Sequence, residues 1–100
     1  MSSFKELINS NQPLLVDFHA TWCGPCKQLA PELERLKQML GDRIRIIKID
    51  VDQNPQAAAA YKVSGVPTLI LFCKGQILWR QSGVVRAQQL AGIIAEKTAA

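Results

Sequence analysis

The sequence predicts an α/β fold, a mixed four-stranded sheet flanked by helices on both faces. Three observations lead there. Short apolar runs of strand length alternate with segments of helical spacing. The strand–helix–strand order between residues 14 and 51 calls for parallel pairing through a right-handed crossover. Lys74-Gly75 then joins two later strands as a hairpin, which adds antiparallel neighbours. A chain of 100 residues can bury a modest core, and residues 1–100 read as a single domain.

Each element has its own signal. Ser2 and Ser3 offer caps to a first short helix with Phe4, Leu7 and Ile8 on one face. Asn9 to Pro13 is turn chemistry. Leu14 to Ala20 is an apolar run suited to a buried strand, with Asp17 as its one discordant residue. Thr21 to Lys27 opens a helix reaching about Met39, in which Leu29, Leu33, Leu36 and Leu40 keep helical spacing. Pro31 removes a backbone donor inside it and should kink it, and Gly41-Asp42 closes it. Arg45 to Val51 reads as a second buried strand. Asn54 is placed to cap, and Pro55 to begin, a short helix through Lys62. Strands at Thr68 to Cys73 and Ile77 to Gln81 follow, and Arg86 to Lys97 forms a last helix burying Leu90, Ile93 and Ile94.

Composition excludes several function classes. With 48% apolar and 20% charged residues, the chain is that of a globular protein. No apolar run approaches the ~20 residues that span a bilayer, and Met1 to Asn11 lacks the pattern of a secretory signal. The net charge of +4 is spread over scattered Lys and Arg, without the dense basic block that nucleic acid would require. Three cysteines, an odd number, argue against a disulfide-stapled secreted scaffold and for a reducing, cytoplasmic setting.

The informative stretch is Trp22-Cys23-Gly24-Pro25-Cys26-Lys27. Two cysteines at i and i+3 on a helix start face the same way, ~5–6 Å apart, within the window of a disulfide. Cys23 sits where free amide donors and the helix dipole favour an anion, and so the thiolate that attacks disulfides. Pro25 lies in the first turn, where its missing N–H costs nothing. Cys26, one turn in, should be the less exposed and suited to a delayed second attack. Cys23, Cys26, Cys73 and His19 could instead supply four zinc ligands. If Pro67 lies near the dithiol, however, Cys73 is six residues along the strand, roughly 20 Å away at ~3.3 Å per residue.

The run VDF-x-A-T before WCGPCK, followed by KIDVDQNP, GVPTL and the later KG and SG turns, resembles the thioredoxin family in order and spacing from Phe4 onward. The resemblance implies a thioredoxin-like fold and a protein-disulfide reductase that cycles between a Cys23/Cys26 dithiol and disulfide through a mixed disulfide. It assigns catalytic roles to Cys23, Cys26, Asp17 and Lys48. Asp17 would be a buried carboxylate behind the dithiol, its pKa raised by desolvation and partly offset by Lys48 on the adjacent strand. It would take the proton of Cys26 during the second exchange. The resemblance assigns substrate binding to Trp22, Gly24, Pro25, Val66, Pro67 and Gly83. Trp22 would form an apolar lip, Pro67 a cis-proline opposite the dithiol, Val66 a backbone on which an extended peptide pairs, and Gly83 a small residue on the docking face. Neither cofactor nor metal is implied. The partners are disulfide-containing proteins and a thioredoxin-reductase-like protein. A Pro-His or Gly-His dipeptide between the cysteines would instead have suggested an oxidase or isomerase of exported proteins. A pure docking module is the rival of another class.

Three further expectations concern residues outside that pattern. Cys73 has no partner and no motif, and reads as a small apolar residue near a strand end. His19 stands where the family often has a Trp that donates to an acidic residue after the next strand, so a His19–Asp52 hydrogen bond is expected. Family members commonly begin with an extra strand that pairs with the one matching Arg45 to Val51. Only Met1 to Ser3 precede Phe4 here, which leaves Arg45 to Val51 as a sheet edge. A monomer with weak edge-to-edge dimerisation follows.

Overall fold

The computed structural model describes residues 4–99, so Ser2 and Ser3, and any stub formed by Met1 to Ser3, lie outside the described residues. The elements are α1 (Phe4–Ile8), β1 (Leu14–His19), α2 (Gly24–Leu40), β2 (Arg45–Asp50), α3 (Pro55–Ala60), β3 (Thr68–Cys73), β4 (Gln76–Ser82) and α4 (Ala87–Lys97). A 3₁₀ turn, Gly41–Arg43, links α2 to β2. The sheet is four-stranded in the order β2-β1-β3-β4. β1 pairs in parallel with β2 and antiparallel with β3, and β3 pairs antiparallel with β4, giving the mixed sheet predicted.

Alternation along β1 divides the core between two faces. Leu15 packs with Leu29, Leu33 and Leu36 of α2 and with Leu90 and Ile94 of α4. Val16 and Phe18 turn the other way, against Ile8 of α1, with Phe4, Ala57 and Tyr61 packed on that cluster. There the Phe4–Tyr61 and Tyr61–Phe72 rings meet edge to face, with centroids 5.8 and 5.2 Å apart. Such pairs contribute ~0.5–1.5 kcal/mol each beyond burial. Helices therefore cover both faces, and Leu14 to Phe18 is buried throughout because a strand lies on each side. Among the described residues no helix is long and apolar enough to cross a membrane.

Several local readings need correction. β2 is not a buried strand: Ile46, Ile47 and Ile49 are half-buried and Arg45 and Lys48 exposed, because it has a neighbour on one side only. α2 continues past Pro31 and closes, as expected, at Gly41, whose φ of +56° lets its N–H return to the Lys37 carbonyl. Asn54 does not cap α3 with its side chain, because its Nδ2 donates to the Asp50 carbonyl at 3.0 Å. Arg86, preceding α4, offers no side-chain cap either. Glu32 of α2 supplies it, its Oε1 accepting from the Ala87 N–H at 3.0 Å. That bond and the nearby Arg35 hold the Glu32 carboxyl below its ordinary pKa against a weaker desolvation effect. Ile93 is half-buried rather than core. The Lys74-Gly75 turn has φ of +53° and +78°, the two left-handed residues that suit a tight hairpin.

Candidate active site

The site forms where β1 hands the chain to α2. After β1, a turn closes with the Cys23 N–H donating to the Ala20 carbonyl at 3.2 Å. That turn sets Cys23, extended at φ −88° and ψ 113°, in the N-cap position of α2. Gly24 and Pro25 occupy the first turn, and Pro25 gives up an N–H that the helix would leave unpaired. Cys26 follows one residue on, with its backbone N–H donating to Cys23 Sγ at 3.1 Å. The sulfur is thus the helix cap, in the place usually taken by a Ser, Thr, Asp or Asn oxygen. Cys23 and Cys26 form a disulfide with Cα atoms 5.3 Å apart, inside the ordinary range.

Both cysteines are buried, Cys23 at 3% exposure and Cys26 at 7%, so the expectation that Cys26 would be the more covered is corrected. They form a small buried cluster with Ala20, against which Val51 and Val66 pack. The Val66–Pro67 peptide is cis, and Pro67 is buried while Val66 is half-exposed. Among the described residues no backbone hydrogen bond occupies the Val66 N–H or C=O. Gly83 stands beside this segment: its N–H donates to the Pro67 carbonyl at 2.9 Å, and its φ of +96° suits glycine alone.

Trp22 is 69% exposed, and a crevice of about 120 Å³ opens between it and Val51, Val63, Ser64, Gly65 and Val66. The indole is held there, its Nε1–H donating to Asp52 Oδ2 at 2.8 Å. This overturns the expected His19–Asp52 bond. Asp52 is occupied by the tryptophan that precedes Cys23, whose long arm reaches across from its exposed loop. Val51 and Val63 were not singled out in the sequence, since nothing local marks a strand-end or loop valine as part of a crevice.

Behind the disulfide lies a second opening. A cleft of about 260 Å³ is lined by Asp17, His19, Ala20, Thr21, Cys26, Lys27, Ala30 and Lys48. Asp17 is buried at 2% exposure, and its Oδ1 has no hydrogen-bond partner. Desolvation raises its pKa above the ordinary carboxylate value, while the nearby His19 and then Lys48 pull it down. Lys48 faces Asp17 in the parallel register of β1 and β2. The two form no ion pair, because Lys48 is exposed at the edge, so its influence is through space.

Cys73 lies elsewhere. It ends β3, whose first residue, Thr68, pairs with Phe18 near the dithiol, and its Sγ approaches the Asn11 carbonyl at 3.3 Å. Among the described residues, no cluster of three or more His, Cys, Asp or Glu side chains could hold a metal ion.

Comparison with known proteins agrees with this geometry. The thioredoxin family model matches residues 1–96. A thioredoxin-like protein of Synechocystis is 46% identical over 90 residues, covering 89% of this chain and 86% of its own length. A bifunctional thioredoxin reductase/thioredoxin of Mycobacterium leprae is 46% identical over 82 residues, covering 82% of this chain and 18% of its own length. A mutant thioredoxin from Halobacterium salinarum superposes with a TM-score of 0.87 at 36% identity, covering 100% of this chain and 87% of that one.

Proposed function

We propose a division of labour among the residues of this chain, which belongs to the thioredoxin family and reduces disulfides of other proteins through its Cys23–Cys26 pair. Cys23 attacks. As the N-cap of α2 it receives the Cys26 amide, and the unpaired amides and dipole of the helix start favour its thiolate. Its Sγ forms a bond to one substrate sulfur, the substrate S–S bond breaks, and the other substrate sulfur leaves as a thiolate. Cys26 then gives its proton to Asp17 and attacks Cys23 Sγ, releasing the second substrate sulfur. Two electrons pass to the substrate, and the chain is left with the Cys23–Cys26 disulfide.

Asp17 suits this role because burial raises its affinity for a proton, and it lines the same cleft as Cys26. Lys48 tempers that affinity from the neighbouring strand. Trp22, Gly24, Pro25, Val66, Pro67 and Gly83 receive the substrate. The open Val66 backbone offers strand-like pairing to an extended peptide, and the Trp22 crevice takes an apolar side chain. A thioredoxin reductase returns the disulfide to the dithiol, a partnership that the fused reductase/thioredoxin relative supports. We place the reaction in a reducing, cytoplasmic setting and take the chain to act as a monomer, with a weak dimer through the β2 edge. The single observation that carries the reading is the disulfide at the start of α2 with an unpartnered buried carboxyl behind it.

Limited alkylation of the reduced protein with iodoacetamide, through a pH series below the ordinary thiol pKa of ~8.5, tests the assignment. Cys23 should be labelled first at every pH. Preferential labelling of Cys26 would reverse the roles.

A further inference from the structure

A buried base that takes a proton in each catalytic cycle must also lose it, and the walls of the cleft decide how. At 2% exposure Asp17 does not meet bulk water directly. Its way out is the cleft of about 260 Å³, which has room for several water molecules at ~30 Å³ each. The groups facing that space come from three elements. β1 contributes Asp17 and His19, which share a face because they are two residues apart on a strand. β2 contributes Lys48. α2 contributes Lys27 and Cys26, and the intervening loop contributes the neutral Thr21. Asp50, in register with His19 on β2, has its Oδ1 engaged by the Asp52 and Gln53 amides.

Lysine ammonium groups hold their protons at neutral pH and cannot accept another. A hydroxyl can pass a proton on but cannot store one. Imidazole is the ordinary side chain that takes up and releases a proton between pH ~5 and ~8. His19 has its ring free for this, since the Asp52 carboxylate expected to hold it is bound to Trp22. It is half-buried and lines the same cleft as Asp17.

We propose that His19 carries the proton of Asp17 between the buried cleft and solvent, acting on the second exchange as a positioning residue through Asp17. The inference rests on Asp17 being the proton acceptor of Cys26. As Cys26 S–H gives its proton to the Asp17 carboxylate, the unprotonated ring of His19 draws that proton on from Asp17 through the cleft. This keeps the proton from returning to Cys26 while its thiolate attacks, and His19 then releases it outside, which restores the carboxylate. No electrons move in this transfer, and the oxidised and reduced sulfurs are unchanged by it.

The test separates attack from resolution. The reduced protein is mixed with a symmetric nitrobenzoate disulfide in a Cys73→Ser background. Attack by Cys23 releases one coloured thiolate and resolution by Cys26 releases the second, so the two steps appear as successive phases. His19→Ala should leave the first phase unchanged and slow the second ~100-fold, the lower end of what positioned proton transfer contributes. Dissolved imidazole should restore the second phase in proportion to its unprotonated fraction, entering the space the ring has left. His19→Gln, which keeps bulk and hydrogen bonding without the proton capacity, should be as slow as His19→Ala. Asp17→Asn should be slow and indifferent to imidazole. The proposal is overturned if His19→Ala resolves at the wild-type rate, if imidazole gives no rescue, or if His19→Gln restores the rate. A wild-type second phase in Asp17→Asn would instead remove the reading of Asp17 on which the proposal stands.

Discussion

Replacing Asp17 by Asn should make the fold more stable at neutral pH while slowing substrate reduction. The carboxyl is 2% exposed, one of its oxygens has no partner, and the nearest charge partner on β2 does not reach ion-pair distance. Burial raises its pKa in the folded state above the ~3.9 of an unfolded chain. A raised carboxyl reverses the usual sign. The native state binds the proton more tightly, so stability falls as pH rises from the unfolded value to the folded one, and the penalty is complete above that. Asn keeps the shape and drops the charge. A buried polar group without a partner costs ~1–3 kcal/mol and a charged one more; Asn leaves the first cost and removes the excess, so the gain at pH ~8 should be at least about 1 kcal/mol. At ~4–8 °C per kcal/mol for a domain of this size, the melting temperature should rise by at least several degrees. The assay is a melting curve of the oxidised protein at a series of pH values. The difference between variant and wild type should be small at pH ~3 and grow with pH to a plateau. A difference that is constant with pH, or a variant no more stable at pH ~8, would refute the desolvation argument.

Cys73→Ser should leave insulin reduction by the dithiothreitol-coupled reaction unchanged, because the thiol sits at the opposite end of β3 from the dithiol; a clear loss would place Cys73 in turnover. Asp52→Ala releases the Trp22 indole and should raise KM for protein substrates about 2–10-fold, the worth of one hydrogen bond of ~0.5–1.5 kcal/mol, with kcat little changed. Unchanged steady-state constants would show that the anchored indole has no part in docking. Alternate amides across residues 44–50 should exchange hydrogen faster than those of Leu14 to Phe18, because β2 is a sheet edge and β1 is central. Uniformly slow exchange in dilute solution would mean that the edge is covered.

Where the chain's own neighbours in sequence decide the structure, the residues alone were enough. The apolar run Leu14 to Phe18 is a buried strand, the leucine spacing from Leu29 to Leu36 is the core face of α2, and Lys74-Gly75 is a tight hairpin turn. The dithiol was legible for the same reason, since the i, i+3 spacing at a helix start fixes its geometry. Contacts made across the fold were not. Glu32 caps a helix 55 residues further on, a partner that no local capping rule could find. Residue type alone also misses a local competition: Asn54 suits a helix cap, yet its amide donates four residues back to the Asp50 carbonyl. Asp52 is expected to accept from His19, yet it accepts from the Trp22 indole, a contact between residues 30 positions apart. The near-equal cover of the two cysteines depends on Val51 and Val66, which arrive from other parts of the chain.

Cys23 is the sulfur proposed to meet the substrate, and Cys26 the one proposed to release it. The most direct measurement mixes insulin with the reduced Cys26→Ser protein, without dithiothreitol, and identifies the linked species by peptide mapping. The predicted result is an insulin chain held in a stable mixed disulfide at Cys23, with no such adduct in Cys23→Ser and none lasting in the wild type. An adduct at Cys73, or insulin reduction that persists in Cys23→Ser, would contradict the account.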